Sequence, residues 1–350
     1  MTRRISLAAL HCLAIIALAL IAAACGGPGD GASGGDGASV VSSERGDGKL
    51  IYSDPGGLYE LDLATGSGRY LITAEPNTFL LDPDVSPGGD AIAYTVQPPP
   101  VVEGGVYDAG SDIWIASRDG SGARPLIEHE QPNQLLRYPR WQDDEHILAV
   151  VPQIVTREGV TSVSYTLQRF NIATLARETL LEDVLTFAVA PDGSEIAYAR
   201  LSPQTGESLG GLSLADGTDS TLVGADQQVA PFYSIRYSPD GSLVAFTAAD
   251  QTLARAEIAV ISLRTDSRGA PPAALLTDGL PQDVWTVEAQ GGRARRLADL
   301  KEDLPTLAWS GDGERIYVLG TAGLYRISVD TGTVDRIGEG VFHGQLTWAP

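Results

Sequence analysis

The sequence predicts an all-β fold that is built from repeated four-stranded antiparallel sheets. A short motif recurs along the chain, in which an apolar strand ends in an aromatic residue or Val and is followed by Ser/Ala-Pro-Asp-Gly and then by Ile/Val-Ala-Tyr/Phe. An alternating apolar run follows most copies, and the chain stops inside a further copy. Because repeats at this spacing indicate stacked equivalent units, these observations predict a six-bladed β-propeller.

Each copy of the motif predicts a hairpin between two antiparallel strands. Pro fixes φ, Asp caps the turn, and Gly adopts positive φ without a Cβ clash, which is the chemistry of a tight turn. The flanking apolar, β-branched and aromatic residues are typical of strands. The copies run from Val85 to Tyr94, from Trp141 to Ala149 in degenerate form, from Val189 to Tyr198, from Tyr237 to Phe246, from Trp309 to Val318, and from Leu346 to the end of the chain.

Two further strands are expected after each hairpin. A third apolar run alternates with the period of a half-buried strand, and a turn then leads to a short fourth run. Third runs are found at Asp112 to Ala116, Gly211 to Leu214, Asp283 to Val287 and Gly323 to Ile327. Four antiparallel strands per unit form the blade of a propeller.

The two ends of the domain predict that the ring of blades closes. The stretch from Gly46 to Tyr52 has the form of a second strand, and the stretch from Gln345 to Trp348 supplies the missing first strand. Their pairing would remove an exposed sheet edge, whereas an open array is the alternative. An extra apolar run from Glu257 to Leu263 is interpreted as an insertion because it lacks its own hairpin motif, and a seventh, irregular blade stays open.

These repeats resemble the WD-like repeats of TolB-type six-bladed propellers, with their strand, Pro-Asp-Gly hairpin and Asp-Ile-Trp-like third strand, here Asp112 to Trp114. The resemblance extends over residues 46–350 and implies the fold. It does not specify function, because such propellers serve as scaffolds, lyases and regulatory domains of peptidases. The N-terminal α/β domain of TolB has no room before residue 46 and no catalytic domain follows residue 350, so a role in a Tol-Pal system is not expected.

The N-terminus has the form of a bacterial lipoprotein signal. Arg3 and Arg4 precede an apolar stretch, which is typical of a secretory signal, and the stretch from Ala22 to Cys25 resembles a lipobox. The resemblance implies that Cys25 receives a lipid. We expect residues 1–24 to direct export through the general secretory route, and the domain to be anchored on the extracytoplasmic side of the cytoplasmic membrane. An uncleaved transmembrane anchor is the alternative and would place the domain on the same side of the membrane.

Composition indicates how the remaining residues are organised and which partners are not expected. Residues 25–45 form a Gly/Ser-rich tether, and residues 46–350 form the propeller domain. Since Cys12 leaves with the signal and Cys25 carries the lipid, the domain is expected to have no disulfide. The formal net charge of −21 repels phosphate backbones, which excludes nucleic acid as an expected partner.

Motifs for catalysis are scarce. Two Gly-x-Ser-x-Gly matches, at Ser33 and Ser208, lack the strand and helix of a nucleophile elbow and are interpreted as chance. Asp82-Pro83-Asp84 resembles the start of a calcium loop, but Pro87 stands where Gly is required, so we interpret it as the beginning of a strand. We predict no catalytic residue, cofactor or metal.

The predicted binding site lies on the face that carries the loops between second and third strands and the connections between blades. Loops held on a rigid scaffold carry most recognition, and the long segments at residues 97–111, 152–164, 202–210 and 249–282 crowd this face. Capping of the central channel is the alternative role for each candidate. The candidate binding residues are Phe79, Tyr107, His129, Arg137, Tyr138, Phe232, Tyr233 and His343.

Two functions remain open at the level of the sequence. The first is a lipid-anchored, non-catalytic binding or scaffold module for an extracytoplasmic protein, peptide or glycan, which the scarcity of catalytic motifs favours. The second is a propeller enzyme, a lyase or hydrolase that acts on an extracellular carbohydrate or lactone. Several His and carboxylate side chains that meet at the channel mouth would favour the second.

Overall fold

A computed structural model describes the chain over residues 48–103, 105–157, 160–202, 206–252, 281–339 and 345–349. The described residues form six four-stranded sheets, which confirms the predicted six-bladed propeller. The signal, the tether with Cys25, the run from Glu257 to Leu263, and His343 lie outside the described residues. Within the described ranges, no helix has the length and apolar character that crossing a bilayer requires.

The strands follow each other blade by blade. The first blade begins with β1 (Lys49–Asp54), β2 (Gly57–Asp62) and β3 (Gly68–Thr73). The second contains β4 (Phe79–Val85), β5 (Ala91–Gln97), an inserted hairpin of β6 (Val101–Glu103) and β7 (Val106–Asp108), then β8 (Asp112–Ser117) and β9 (Arg124–Ile127). The third contains β10 (Arg137–Trp141), β11 (His146–Arg157), β12 (Val160–Asn171) and β13 (Arg177–Glu182).

The second half of the chain repeats this order. The fourth blade contains β14 (Val184–Val189), β15 (Glu195–Ser202), β16 (Gly206–Ser213) and β17 (Asp219–Val223). After a 3-10 turn (Ala225–Gln227), the fifth contains β18 (Val229–Tyr237), β19 (Leu243–Asp250), β20 (Gln282–Glu288) and β21 (Arg295–Glu302). The sixth contains β22 (Thr306–Trp309), β23 (Arg315–Leu319), β24 (Gly323–Ser328) and β25 (Val334–Glu339), and the last strand is β26 (Leu346–Ala349).

The Pro-Asp-Gly turns are fixed by the Asp side chain. In the turn between β18 and β19, Asp240 Oδ1 accepts hydrogen bonds from Ser238 Oγ at 2.6 Å and from the backbone N–H of Ser242 at 3.1 Å. Gly241 has a φ of 72°, a conformation that Gly adopts without strain. The local sequence therefore determines the turn that joins the first two strands of the blade.

Both chain ends contribute to the first blade. β26 pairs antiparallel with β1, so that Trp348 lies opposite Leu50 and Leu346 lies opposite Tyr52. The first strand of each blade contacts the first strand of the next, from β4 through β10, β14, β18, β22 and β26 back to β4. The predicted closure of the ring by the two ends is confirmed. The hydrophobic core lies between neighbouring blades, where Tyr52, Tyr317 and Leu346 belong to one buried cluster.

Two segments that were expected to be loops are paired strands. β11 and β12 remain in register along their whole length, from His146 opposite Asn171 to Arg157 opposite Val160. β15 and β16 likewise pair up to Ser202 opposite Gly206. The expectation was wrong because residues 152–164 are rich in Val, Thr and Ile, and these β-branched residues favour a strand.

The closing strand generates a prediction about stability. Leu346 in β26 is fully buried, so Leu346→Ala removes apolar burial, leaves a cavity, and lowers the free energy of unfolding by about 2–5 kcal/mol. Leu175→Ala is the matched control, because Leu175 is 54% exposed and its change is expected to stay within about 0.5 kcal/mol. Equilibrium unfolding in urea measures both values. Equal, small effects would contradict the role assigned to β26.

Candidate functional site

The first strands of the blades begin at the long-loop face, the face that carries the inserted hairpin and the connections between blades. β4 and β10 are irregular midway, since their pairing shifts between Leu81 and Asp84 and between Arg137 and Arg140. Asp82 and Tyr138 have positive φ values of 55° and 56°. Each precedes a Pro that cannot donate to the ladder, and such bulges re-aim side chains.

An ion pair between the second and third blades holds two of the candidate residues. Asp82, which is fully buried, accepts hydrogen bonds from Arg137 Nε at 2.7 Å and from the backbone N–H of Tyr138 at 3.3 Å. Burial acts to lower the pKa of Arg137, but the Asp82 carboxylate outweighs it and holds this pKa above its ordinary value. The Arg137 guanidinium also lies 5.1 Å from the centre of the Tyr138 ring, within cation–π range.

A second charged group lies deeper along the same strands. Arg140 Nη1 lies 3.7 Å from Asp84 Oδ1, and the other carboxylate oxygen of Asp84 accepts a hydrogen bond from the backbone N–H of Trp141 at 3.0 Å. Burial raises the pKa of Asp84, although Arg140 and Arg236 act in the opposite direction. Arg236 in β18 is therefore close enough to influence a carboxylate in the second blade.

Arg236 reaches across the central channel. Its Nη2 donates to the Leu346 carbonyl at 3.2 Å and lies 3.4 Å from Gln345 Oε1. Arg236 belongs to the fifth blade and these acceptors belong to the first, with the sixth blade between them. A contact between blades that are not neighbours in the ring identifies the channel as the place where these side chains meet.

The other aromatic candidates separate into channel and core. Burial raises the pKa of Tyr233, and the groups that act on it electrostatically include Tyr138, Arg137 and Asp82, so Tyr233 lies within electrostatic range of that ion pair. Phe232 is buried instead, with its ring 5.2 Å from the ring of Phe246 in an edge-on contact. Phe232 thus packs in the core rather than on the binding face, and Phe79 is half-buried at the beginning of β4.

Glu207 is a titratable group that the sequence did not indicate. Its Oε1 accepts a hydrogen bond from the backbone N–H of Phe232 at 2.7 Å, between the fourth and fifth blades. Burial raises the pKa of Glu207 to about 7, and this single hydrogen bond only partly offsets the rise. A carboxyl group that titrates near neutral pH stands at the long-loop end of β16.

The inserted hairpin exposes apolar side chains at the rim of the long-loop face. We call Val101, Val102, Val106 and Tyr107 the apolar hairpin; Val102 is 71% exposed and Tyr107 is 46% exposed. Val102 lies opposite Tyr107 in the β6–β7 pair. Apolar groups that are presented together on a loop face are typical of an interaction surface.

His129 fastens this hairpin to the propeller. Its Nδ1 lies 2.7 Å from Asp112 Oδ1 and its Nε2 lies 3.0 Å from Asp108 Oδ2, so one imidazole bridges the end of β7 and the beginning of β8. Asp108 Oδ1 also accepts a hydrogen bond from the backbone N–H of Asn133 at 2.9 Å. The ring packs so closely on Gly110 that a Cβ there would lie 2.5 Å from His129 Cδ2. We call this arrangement the histidine clamp.

The other polar side chains that the structure describes form surface ion pairs and a groove. Within the part of the chain that the structure describes, no three His, Cys, Asp or Glu side chains are placed so that they could hold a metal ion. A groove of about 700 Å³ on the opposite face is lined by Arg295, Arg315, Arg326 and Asp335. Arg315 is paired with Asp312 at 3.1 Å and Arg326 with Asp335 at 2.8 Å, as is common at protein surfaces.

The histidine clamp generates a prediction about pH. Burial acts to lower the pKa of His129, but the hydrogen bonds to Asp108 and Asp112 outweigh it and raise this pKa above the ordinary value of 6.5. A raised folded-state pKa contributes stability that is complete below pH 6.5 and is lost as the pH rises through the folded-state value. His129→Gln is therefore expected to destabilise the protein more at pH 5.5 than at pH 8.5, as measured by urea unfolding.

A direct titration checks the same clamp. The NMR titration midpoint of the His129 ring is expected to lie above 6.5 in the wild-type protein and to fall in Asp108→Asn, because that variant removes one of the two carboxylates. A midpoint below 6.5, or a midpoint that Asp108→Asn leaves unchanged, would contradict the clamp.

Comparison with known proteins relates the fold to solved structures. The TolB structure from Acinetobacter baumannii aligns with a TM-score of 0.60 at 14% identity, over 87% of this chain and 68% of that chain. A TolB structure from Agrobacterium tumefaciens aligns with a TM-score of 0.52 at 12% identity, over 87% of this chain and 98% of that chain.

An oligogalacturonate lyase from Vibrio parahaemolyticus aligns with a TM-score of 0.45 at 11% identity, over 83% of this chain and 74% of that chain. No protein-family model and no curated protein matches the sequence. At these identities the likeness concerns architecture: the chain has the six-bladed propeller fold of the TolB structures.

Proposed function

We propose that this chain is a lipid-anchored, extracytoplasmic and non-catalytic binding module that docks a protein or peptide on its long-loop face. The observation that carries the proposal is the apolar hairpin, in which Val102 and Tyr107 are held in solvent. Exposed apolar groups on a folded surface lose nothing when a partner covers them and gain the free energy of burial. A glycan, the other ligand class, would gain less from aliphatic Val side chains.

The construction of the hairpin supports this role. The histidine clamp binds the last residue of the hairpin, Asp108, to His129 and Asn133 in the connection after β9, and His129 also contacts Asp112 at the beginning of β8. Asn133 Nδ2 also donates a hydrogen bond to the Tyr107 carbonyl at 3.0 Å. A loop that is fixed before binding loses less conformational entropy when the partner arrives, so the clamp favours affinity.

The channel mouth adds polar anchors to the same face. Arg137 and Tyr138 are held in place by Asp82, and Tyr233 lies within electrostatic range of them. Tyr and Arg are the residue types that contribute most to protein interfaces. One partner could therefore contact an apolar rim and a polar centre. Of the predicted binding residues, Tyr107 belongs to the rim, and the centre contains Arg137, Tyr138 and Tyr233.

A second function is supported by one observation. Glu207, with a pKa of about 7, has the titration behaviour of a general acid or base, which fits a lyase or hydrolase acting on an extracellular carbohydrate or lactone. The hydrogen bond from the Phe232 N–H gives the same carboxyl a structural role at the junction of two blades. The binding module is preferred because the apolar hairpin has no role in the enzyme.

The lipid anchor is testable by itself. Cys25→Ser removes the acylated thiol that the lipobox resemblance implies, so the variant is expected to leave the membrane fraction and to lose incorporation of labelled fatty acid. Cys12→Ser, within the signal, is the control and is expected to retain both. If Cys25→Ser stays fully in the membrane fraction, and neither it nor the wild-type protein incorporates fatty acid, the transmembrane anchor is favoured.

Site-specific crosslinking tests the docking face. A photo-reactive amino acid at Val102 is expected to trap one defined partner in native membranes, because this side chain would lie inside the interface. The same probe at Leu175 is the matched control, since Leu175 is also exposed and apolar but lies in the turn between β12 and β13 on the opposite face. Val102→Asp is expected to lower partner affinity about tenfold. Identical products from both positions would reject the proposed face.

A further inference from the structure

One repeat position places an unbalanced positive charge in the channel. The position is the one that precedes the aromatic residue or Val of the hairpin motif. It pairs with the second strand in an equivalent way in different blades, as Asp84 with Ala93 and Arg236 with Ala245. Four of the six blades carry an uncharged residue or an acid here, whereas the third and fifth carry Arg. Around the ring this position is occupied by Asp84, Arg140, Ala188, Arg236, Ala308 and Thr347.

Arg140 is buried with an incomplete set of partners. It is 4% exposed, its Nη1 donates to the Pro139 carbonyl at 2.9 Å, and its contact with Asp84 is long at 3.7 Å. Its Nε is buried and has no hydrogen-bond partner within the described residues. A buried guanidinium N–H without an acceptor is costly, so this N–H can donate a hydrogen bond to the anionic oxygen of a ligand.

Arg236 has only neutral partners. Its guanidinium donates to the Ile235 carbonyl at 2.8 Å and to the Leu346 carbonyl at 3.2 Å, with Gln345 Oε1 at 3.4 Å. Within the described ranges, no carboxylate lies within 4 Å of it. Burial first, and the like charge of Arg140 second, lower the pKa of Arg236 to about 9. Arg137, which has Asp82 as a close partner, shows the opposite shift.

We propose that the channel binds the carboxylate of a ligand between Arg140 and Arg236. Asp84 balances at most one of the two guanidinium charges, so a single negative charge completes the group. A carboxylate offers two oxygens to planar N–H donors, which is the pairing that Arg favours. A phosphate dianion would bring more negative charge than the group needs and would be repelled by Asp84.

The inference deepens the proposed function and rests on it. A ligand that docks on the long-loop face and enters the channel would present its carboxylate to this pair. Such a group comes from the C-terminus or an acidic side chain of a peptide, or from a sugar acid. Arg236 is half-buried, so part of its side chain is exposed to solvent, whereas Arg140 is buried.

Small carboxylates are suitable probes. Acetate, compared with chloride at the same ionic strength, is expected to raise the thermal midpoint of the wild-type protein, because a ligand that binds only the folded state stabilises it. The shift is expected to vanish in Arg236→Gln and to persist in Arg315→Gln, which removes an Arg on the opposite face that is paired with Asp312. Equal shifts in both variants, or no shift with any carboxylate, would overturn the inference.

The unliganded variants separate a binding role from a structural one. If Arg236 is an unbalanced charge, Arg236→Gln and Arg236→Met leave the thermal midpoint unchanged or raise it. If its contacts with Gln345 and Leu346 serve mainly to hold the closing strand, both variants lower the midpoint by several degrees, and the inference fails. Arg137→Gln, which leaves buried Asp82 without its charged partner, is expected to lower the midpoint and shows that the assay detects such losses.

Further probes distinguish the source of the carboxylate. Binding of tri-alanine but not of tri-alanine amide identifies a peptide C-terminus, whereas binding of glucuronate alone identifies a sugar acid. Binding of phosphate more tightly than any carboxylate overturns the ligand class. If the probe at Val102 traps no partner but acetate still raises the thermal midpoint, only the docking face is rejected. If the probe traps a partner but acetate has no effect, only the channel site is rejected.

Discussion

Pairing of β26 with β1 is the interaction on which the remainder of the structure depends. Without it, β1 would present a free edge, and the buried cluster of Tyr52, Tyr317 and Leu346 between the sixth and first blades would open. The same strand also forms part of the channel wall, because the Leu346 carbonyl accepts a hydrogen bond from Arg236. Closure of the ring therefore creates the fold and brings together the side chains of the candidate site.

Irregular positions in the first strands of two blades direct charged side chains away from the apolar cores. Pro83 and Pro139 lack the N–H that would continue the ladder, and positive φ at Asp82 and Tyr138 interrupts the regular alternation of side chains. Charged residues next to these positions then meet partners on other blades instead of the apolar cores between blades. The outer pairs also carry register shifts, for example between Leu167 and Gln168 and between Leu324 and Tyr325, so irregular pairing is not confined to the inner strands.

Local chemistry explains why the fold was predictable. Each hairpin is fixed by residues within a few positions of its Asp, as Asp240 illustrates with Ser238 and Ser242, so five turns and the strands around them could be inferred without tertiary information. Arg137, Tyr138 and Tyr233 were predicted to lie near the channel mouth because they were read as parts of the connections between blades. Arg137 and Tyr138 begin β10, whereas Tyr233 lies in the middle of β18. The strands at residues 152–164 were missed because length was given more weight than their β-branched composition.

The charged group in the channel could not be predicted in the same way. Arg236 and Leu346 are separated by 110 residues and by one intervening blade, so their contact exists only in the closed ring. A signal was nevertheless present, because the repeat position of Asp84, Arg140 and Arg236 holds Ala or Thr in the other blades. Phe232 was placed on the binding face for a related reason: its burial depends on Phe246 in the adjacent strand, which the spacing alone does not show.

The excess of negative charge and the arginines in the channel act over different ranges. Charges on the outer surface are screened beyond about 8–10 Å at physiological ionic strength, whereas two opposite charges 4 Å apart interact with about 4 kcal/mol at an effective dielectric constant of 20, compared with about 1 kcal/mol in bulk water. The surface therefore gives a carboxylate ligand no electrostatic steering, and attraction begins only inside the channel mouth. On this basis the apolar hairpin and the channel have different roles in binding. Contact with the hairpin brings a partner to the face, and the channel arginines then bind a carboxylate of that partner.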